Sequence, residues 1–517
     1  MKKLKLVCVA IAMACAAPSF AGGLLTNTNQ HVAFNRMMSR EASIGIDGVY
    51  YNPAGVVFMG EGHHLAINWQ LAFQTRTINN DYALFTNNVN NPITPRDFKG
   101  TAFAPVIPSF QYAYNKGKWS FQASFALTGG GGKCTFDDGL GSFEKIVAET
   151  AIAACQLAGA VDQVAGAYNV PGIFSSNQCF GTEGKYSYNS YMHGRQYYYG
   201  LSAGAAYKFS DNFSAFLGVR GVYALTNYYG YVENIQVGQM PLYKVLNPAK
   251  ESSANIELSC DQSGVGFTPI IGVDYKTGRW NFSAKYEFKT RIRLKNKSVN
   301  QIPSIGNLPD NLRNAYIANG VPEAAADAIL SNPKIQGAMV ALKTQFDSKI
   351  DGAIGEYEDG KKIAGDIPAY LALGVGYSPV DAVRVNVGFH WFDDKNATSY
   401  NNRNKELKRG TLEYNAGVEV DVNKKITLST GWQNTNYGLS DEYMDDKSFV
   451  VSSNSVAIGG VYHINKKMDL NVAYFHTFYQ HKKTTETVQL TADISRNYSS
   501  DYTRNNNVFA VGLDINF

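Results

Sequence analysis

After its first two dozen positions, this chain of 517 residues has no apolar run of the roughly 20 residues that a membrane-crossing helix needs. Charge is also scarce. Asp, Glu, Lys and Arg together make up 17%, and 47 basic residues nearly balance 43 acidic ones. That balance gives no basic footprint for nucleic acid, which is not expected as a partner. Cysteine is rare, six in all, with no paired C-x-x-C beside histidines, so no zinc site is expected. There is no phosphate-binding Gly-rich loop, and no Ser-His-Asx set that strand parity brings together. The chain is therefore read as a protein that is not an enzyme and needs neither cofactor nor metal.

What is abundant is Tyr (33), Phe (28) and Gly (48), with a mean hydropathy slightly below zero. Aromatic and glycine richness without long apolar runs fits a transmembrane barrel, whose strands alternate apolar and polar. A large soluble all-β protein has the same composition.

The first residues set the compartment. Lys2, Lys3 and Lys5 form a basic start, Leu6 to Ala17 an apolar stretch, and Ser19-Phe20-Ala21 a small-x-small cleavage site. Residues 1–21 read as a secretory leader, and its loss leaves a mature net charge of about +1. The rival reading makes Cys15 a lipoprotein cysteine, with Met13 and Ala14 matching that motif poorly. Four cysteines remain after cleavage: Cys134, Cys155, Cys179 and Cys260. In an oxidising compartment they are candidates for disulfides, with all three pairings open.

Period-two ladders recur along the chain. Trp119, Phe121, Ala123 and Phe125 alternate with polar residues, as do Trp280, Phe282, Ala284 and Tyr286, and Val383, Val385, Val387 and Phe389. The last ladder, Phe509, Val511, Leu513, Ile515 and Phe517, ends the chain on phenylalanine. These runs have the length of a tilted membrane strand. Tight polar turns such as Asn115-Lys116-Gly117-Lys118 and Lys276-Thr277-Gly278-Arg279 alternate with long connections, the longest being 129–192 and 291–364. Short turns at one end and long loops at the other are the outer-membrane pattern.

Six short turns and seven long loops predict fourteen antiparallel strands, the first near 63–76, the third near 118–128 and the last near 505–517. The fold class is all-β, a closed monomeric barrel over 63–517 in the outer membrane of a Gram-negative cell. Its outer face would meet membrane lipid and lipopolysaccharide. Trp119, Trp280, Trp391 and Trp432 fall near strand ends, where an aromatic girdle belongs.

Parity directs Arg220, Lys285, Glu287, Arg384, Glu413 and Glu419 to the lumen, either to pair with one another and with a plug or to meet a charged head group. Two long loops look partly helical. Phe143 to Val164 is alanine-rich, and Pro322-Glu323 after Gly320 reads as a helix start. Ile335, Met339, Leu342 and Phe346 share one helical face, as crown packing or as an apolar capture site. Residues 22–62 hold Gly45, Gly48, Gly55, Gly60 and Gly62 among other glycines and no ladder, and such a segment folded inside a wide barrel would plug it.

Within that segment, Ser43-Ile44-Gly45-Ile46-Asp47-Gly48-Val49-Tyr50-Tyr51-Asn52-Pro53-Ala54-Gly55 resembles the N-terminal hatch of the outer-membrane long-chain fatty acid and aromatic-hydrocarbon transporter family. The same tripeptide recurs at Asn247-Pro248-Ala249 in a predicted outer loop, so its place before the first strand carries the likeness. The resemblance implies passive uptake of a hydrophobic small molecule. The ligand is captured between outer loops, held in a pocket inside the barrel and released sideways through the wall. It implies a hatch-positioning role for Asn52, Pro53 and Ala54. The family opens its wall at a kinked third strand, and here the predicted third strand ends in Gly129-Gly130-Gly131-Gly132. The alternatives are a diffusion porin for polar solutes and a surface adhesin or receptor.

Overall fold

The computed structural model describes residues 30–490 and 494–517. The leader expected at 1–21 and the first hatch residues, 22–29, lie outside them. Among the described residues no helix is long and apolar enough to cross a membrane; the crossing is made by strands.

The wall has fourteen antiparallel strands: β1 Gly62–Tyr82, β2 Arg96–Lys116, β3 Trp119–Phe136, β4 Tyr186–Lys208, β5 Phe213–Val237 and β6 Ile256–Thr277. Then β7 runs Trp280–Glu287 and resumes at Arg293–Gln301, and β8 comprises Lys362–Ala364 and Tyr370–Val380. They are followed by β9 Val383–Phe392, β10 Arg409–Asn423, β11 Ile426–Gly438, β12 Ser453–Asn465, β13 (Met468–Tyr479, resuming at Lys482–Gln489) and β14 Ser495–Asn516. Each strand pairs with its sequence neighbours, and β14 returns to β1, from His64 opposite Asn516 to Tyr82 opposite Tyr498. Closure removes every sheet edge.

The ladders face outward. Trp69, Phe121, Leu217, Phe267, Ile458 and Phe509 are all exposed on the barrel exterior, where a bilayer rather than water covers them. Near the short turns, Trp119 packs on Tyr207 and Trp280 on Tyr377, as an interfacial girdle does. A closed fourteen-stranded barrel with an outward apolar band is a barrel of the outer-membrane type.

The expected fourteen strands are present, but several are far longer than the ladders. β5 has 25 residues and β4 has 23. The extra length lies at the long-loop end, where both faces meet polar or loop surroundings and alternation disappears. Pairing with neighbours keeps those segments extended.

A crown of loops sits on that end. Helix α3 (Gly141–Gly166) lies between β3 and β4, and α5 (Leu308–Ala318), α6 (Glu323–Leu330) and α7 (Pro333–Ile354) lie between β7 and β8. A one-turn helix, α4 (Tyr243–Leu246), joins them from the β5–β6 connection. Together they bury one apolar cluster that includes Val147, Val161, Phe174, Leu312, Tyr316 and Ile329.

The four cysteines are all free and buried here, so the expected disulfides are not formed. Cys134, Gly194, Tyr228 and Cys260 are consecutive register partners across four strands. Three inter-strand steps of about 4.8 Å separate Cys134 from Cys260 by roughly 14 Å, twice the reach of a disulfide. Cys155 and Cys179 share the crown cluster, and the Cys155 thiol donates to the Phe180 carbonyl at 3.4 Å.

Candidate functional site: hatch, lumen cavity and wall opening

Residues 30–60 fill the short-turn half of the lumen. Helix α1 (Val32–Met37) is capped by the His31 side chain, which accepts from the Ala33 amide at 2.9 Å, and α2 (Gly48–Tyr51) is a single turn. Nearly every residue from Gln30 to Val57 is buried, polar ones included. Gly417 and Gly431, register partners on β10 and β11, make room for α1: a Cβ at Gly431 would overlap the Met37 carbonyl.

Each residue of the Asn52-Pro53-Ala54 motif is tied to a different strand. The Asn52 amide donates to Asp274 on β6 at 2.6 Å. The Pro53 carbonyl accepts from Gln122 on β3 at 2.7 Å, and the Ala54 carbonyl accepts from Ser214 on β5 at 2.7 Å. Asn52 also accepts from the Gly55 amide at 3.1 Å. The second copy differs: among the described residues its Asn247 side chain accepts from the nearby Ala249 amide and bonds no strand, and Pro248 and Ala249 are exposed.

The lumen charges selected by parity join the hatch. Arg220 makes two bonds to Glu287, at 2.6 and 3.0 Å, and Lys285 reaches Glu287 at 2.9 Å and the Tyr50 carbonyl at 2.6 Å. Lys285 also lies over the Tyr50 ring, 4.0 Å from its centroid. Glu413 holds His390 at 2.8 Å, and His390 holds hatch residue Glu41 at 2.7 Å. Glu419 receives both Arg36 and Arg40 from the hatch, and Arg384 pairs with Asp421 at 2.7 Å. Burial pushes the Asp47 carboxyl up, but Arg40 beside it, at 2.7 Å, holds it below the usual carboxylate range. All six charges are thus committed to neighbours. Sequence reading missed their hatch partners Arg36, Arg40 and Glu41, which lie in a segment without periodicity.

Above the hatch is a cavity of about 440 Å³. Phe475 and Val508 in its lining pack against the hatch residues Phe34 and Tyr51, and Phe449 and Val450 reach it from the β11–β12 loop. Two guanidiniums line it, Arg76 and Arg504, which donate to the side-chain amide oxygen of Gln74 at 3.1 and 2.9 Å. Among the described residues neither has a carboxylate partner. Neither was selected from sequence, because both stand in polar strand extensions without a ladder.

The cavity meets the wall between β2 and β3. Their pairing stops at Ala102–Cys134 and resumes at Ser109–Ala126. The unpaired stretch contains Pro105 and Pro108 on one side and Gly129 to Gly132 on the other. Proline has no amide to donate, and glycine permits φ of 94° at Gly130 and 73° at Gly132. Outward-facing Phe103 and Val106 line the same cavity as inward-facing Gln74 and Phe136, so the space reaches through the wall. The glycine run therefore lies inside β3 rather than at its end, because the strand continues to Phe136.

At the crown, a separate small pocket of about 60 Å³ is lined by Leu157, Val161, Leu246, Leu308, Leu312 and Leu342 among others, and Thr150 is its one polar lining residue among the described residues. Of the residues expected either to pack the crown or to form a capture site, Leu342 lines this pocket, Ile335 and Met339 pack in the surrounding core, and the Phe346 side chain lies outside the described residues. Among the described residues no group of His, Cys, Asp or Glu is arranged to hold a metal.

No family model matches the chain, and no curated protein matches it. Solved structures do. A FadL homologue from Pseudomonas aeruginosa matches with a TM-score of 0.60 at 15% identity, over 96% of this chain and 100% of that one. A deletion mutant of TodX, described as a monoaromatic hydrocarbon channel, matches with a TM-score of 0.52 at 14% identity, over 94% of this chain and 98% of that one. By fold, this chain is a barrel of the FadL and TodX type.

Proposed function

We propose that this protein is a passive outer-membrane conduit for hydrophobic small molecules. The ligand enters the apolar crown pocket, passes to the lumen cavity and leaves sideways between β2 and β3, while the hatch closes the axial route. The observation that carries this reading is the unpaired stretch of wall facing the cavity. A long apolar molecule gains about 0.8 kcal/mol per buried CH₂, and an exit into the bilayer preserves that gain where an aqueous pore would forfeit it. The names of the structural neighbours, a FadL homologue and a hydrocarbon channel, agree with such a cargo.

Within this class, Arg76 and Arg504 favour a ligand with an anionic head group, since a charge-assisted bond to a carboxylate relieves two neighbouring cations. A hatch tied to the wall on every side argues against a wide polar porin. The closed wall also leaves no strand edge to recruit a second copy, and a single chain suffices.

The test compares a long-chain fatty acid with its neutral methyl ester by isothermal titration on the purified protein. The acid should bind at least roughly tenfold more tightly, and Arg76→Gln with Arg504→Gln should erase the difference. Equal binding of acid and ester would remove the head-group reading. No binding of either would remove the conduit reading.

A further inference from the structure

β7 changes character along its length. From the short turn upward, Trp280, Phe282, Ala284, Tyr286 and Phe288 face the membrane, with Trp280 and Phe288 well exposed. Eight residues at about 3.4 Å each, tilted, reach most of the way through an apolar band of about 25 Å. The strand then breaks, and from Arg291 in the break through the resumed segment the outward positions are Arg291, Arg293, Lys295 and Lys297, all exposed. Inward, Ile292, Leu294 and Asn296 are buried. The neighbouring strands mark the same level. On β6, outward Val265 is the last apolar residue before Ser263, which is the register partner of Lys295. On β8, exposed Lys362 is the register partner of Lys295 on the other side.

This row carries a surplus of positive charge. Asp366 takes Arg293 at 2.9 Å and Lys289 at 3.9 Å. Asp261 is the register partner of Lys297 and already accepts from Asn227 at 2.9 Å. Arg291, Lys295, Lys297 and Lys362 make no ion pair among the described residues. Arg291, Arg293, Lys295 and Lys297 succeed one another at about 6.8 Å along the outer face, with Lys362 across from Lys295, and the unpaired ones would repel one another without an anionic partner. They stand where the apolar band gives way to the outer leaflet's head groups.

We propose that Arg291, Lys295, Lys297 and Lys362 form a docking site for the phosphate groups of lipid A, the membrane-embedded part of lipopolysaccharide. The acyl chains would lie along the Phe288 and Val265 end of the apolar band, with the phosphates bridging the cations above. The site needs only the barrel's place in the outer membrane and is independent of the cargo.

The test uses the full-length protein in mild detergent, with lipid retention read by native mass spectrometry. The probes are bisphosphorylated lipid A and its dephosphorylated form. The variant Arg291→Ser/Lys295→Ser/Lys297→Ser changes exposed side chains only. A control, Lys424→Ser/Lys425→Ser/Lys466→Ser, removes the same charge from the short-turn rim. Both variants are checked for the gel shift of a folded barrel. Wild type and control should retain bisphosphorylated lipid A at least roughly tenfold better than the first variant does, and wild type should show little preference for the dephosphorylated lipid. Equal retention of both lipids by wild type would overturn the proposal. So would equal loss in the control variant, or displacement of the lipid by inorganic phosphate alone.

Discussion

Asn-Pro-Ala occurs twice in this chain, and the two copies sit in opposite surroundings. On the lumen floor, each residue of Asn52-Pro53-Ala54 is bonded to a separate wall strand. In the crown, Pro248 and Ala249 are exposed and Asn247 serves its own turn. The contrast extends to the regions around them. The floor is held by buried ion pairs and amides, among them Arg40 with Asp47 and Lys285 with Glu287. The crown is held chiefly by leucine, valine and alanine contacts between helices. A polar network fixes one geometry, because breaking a pair strands a buried charge. An apolar cluster has no such directional demand. The floor is suited to a fixed barrier, and the crown to receiving an apolar guest.

The largest effect should come from displacing the floor. Gly431→Val places side-chain atoms where the Met37 carbonyl lies, and the hatch has to move. The barrel should still assemble, but planar-bilayer recording should pass from a quiet baseline to a large steady conductance. A quiet variant would mean that the hatch does not depend on this contact.

Next come the two tripeptides themselves. Asn52→Ala removes the bond to Asp274 and leaves a buried carboxylate short of a partner, a cost of about 1–3 kcal/mol. Asn247→Ala should change stability by less than about 0.5 kcal/mol. Denaturant titration of both variants in the same lipid measures the difference, and equal losses would dissolve the contrast between floor and crown.

The smallest effect concerns Glu356, buried at the base of the crown near the β11–β12 loop. Burial pushes its carboxyl up to about 8, with Lys447 opposing the shift. Because the folded value is raised, the stabilising contribution is complete below about 4.5 and is lost as pH rises through about 8. Hydrogen exchange at 355–358, corrected for intrinsic rates, should accelerate over that window in wild type and not in Glu356→Gln. A pH-independent wild type would place this carboxyl in water.

Much of the wall was legible in the sequence, because a bilayer imposes period two on every strand it touches. The Phe509–Phe517 ladder and the Trp280–Phe288 ladder could be placed for that reason. Above the bilayer the constraint lapses, and the extensions of β4 and β5 carry no ladder to read. The wall opening was half legible: Gly129 to Gly132 signalled freedom, but Pro105 and Pro108 went unread because they interrupt β2 within an otherwise apolar stretch. Parity placed Glu287, Glu413 and Glu419 toward the lumen. It could not supply Arg36 or Glu41, whose positions are set by the tertiary fold of an aperiodic segment. In the crown, helical spacing put Ile335, Met339 and Leu342 on one face but could not divide it into core packing, where Ile335 and Met339 lie, and pocket lining, where Leu342 lies.

The central claim is that cargo leaves through the wall between β2 and β3, and one measurement addresses it directly. A Cβ at Gly132 would lie 3.7 Å from the Ala104 Cβ, close to the separation found in disulfides. In a Cys134→Ala background, Ala104→Cys with Gly132→Cys can be oxidised to sew the gap shut. Uptake of a hydrophobic ligand should stop on oxidation and return on reduction, with hatch and crown untouched. Unchanged uptake with the crosslink formed would show that the cargo takes another way out.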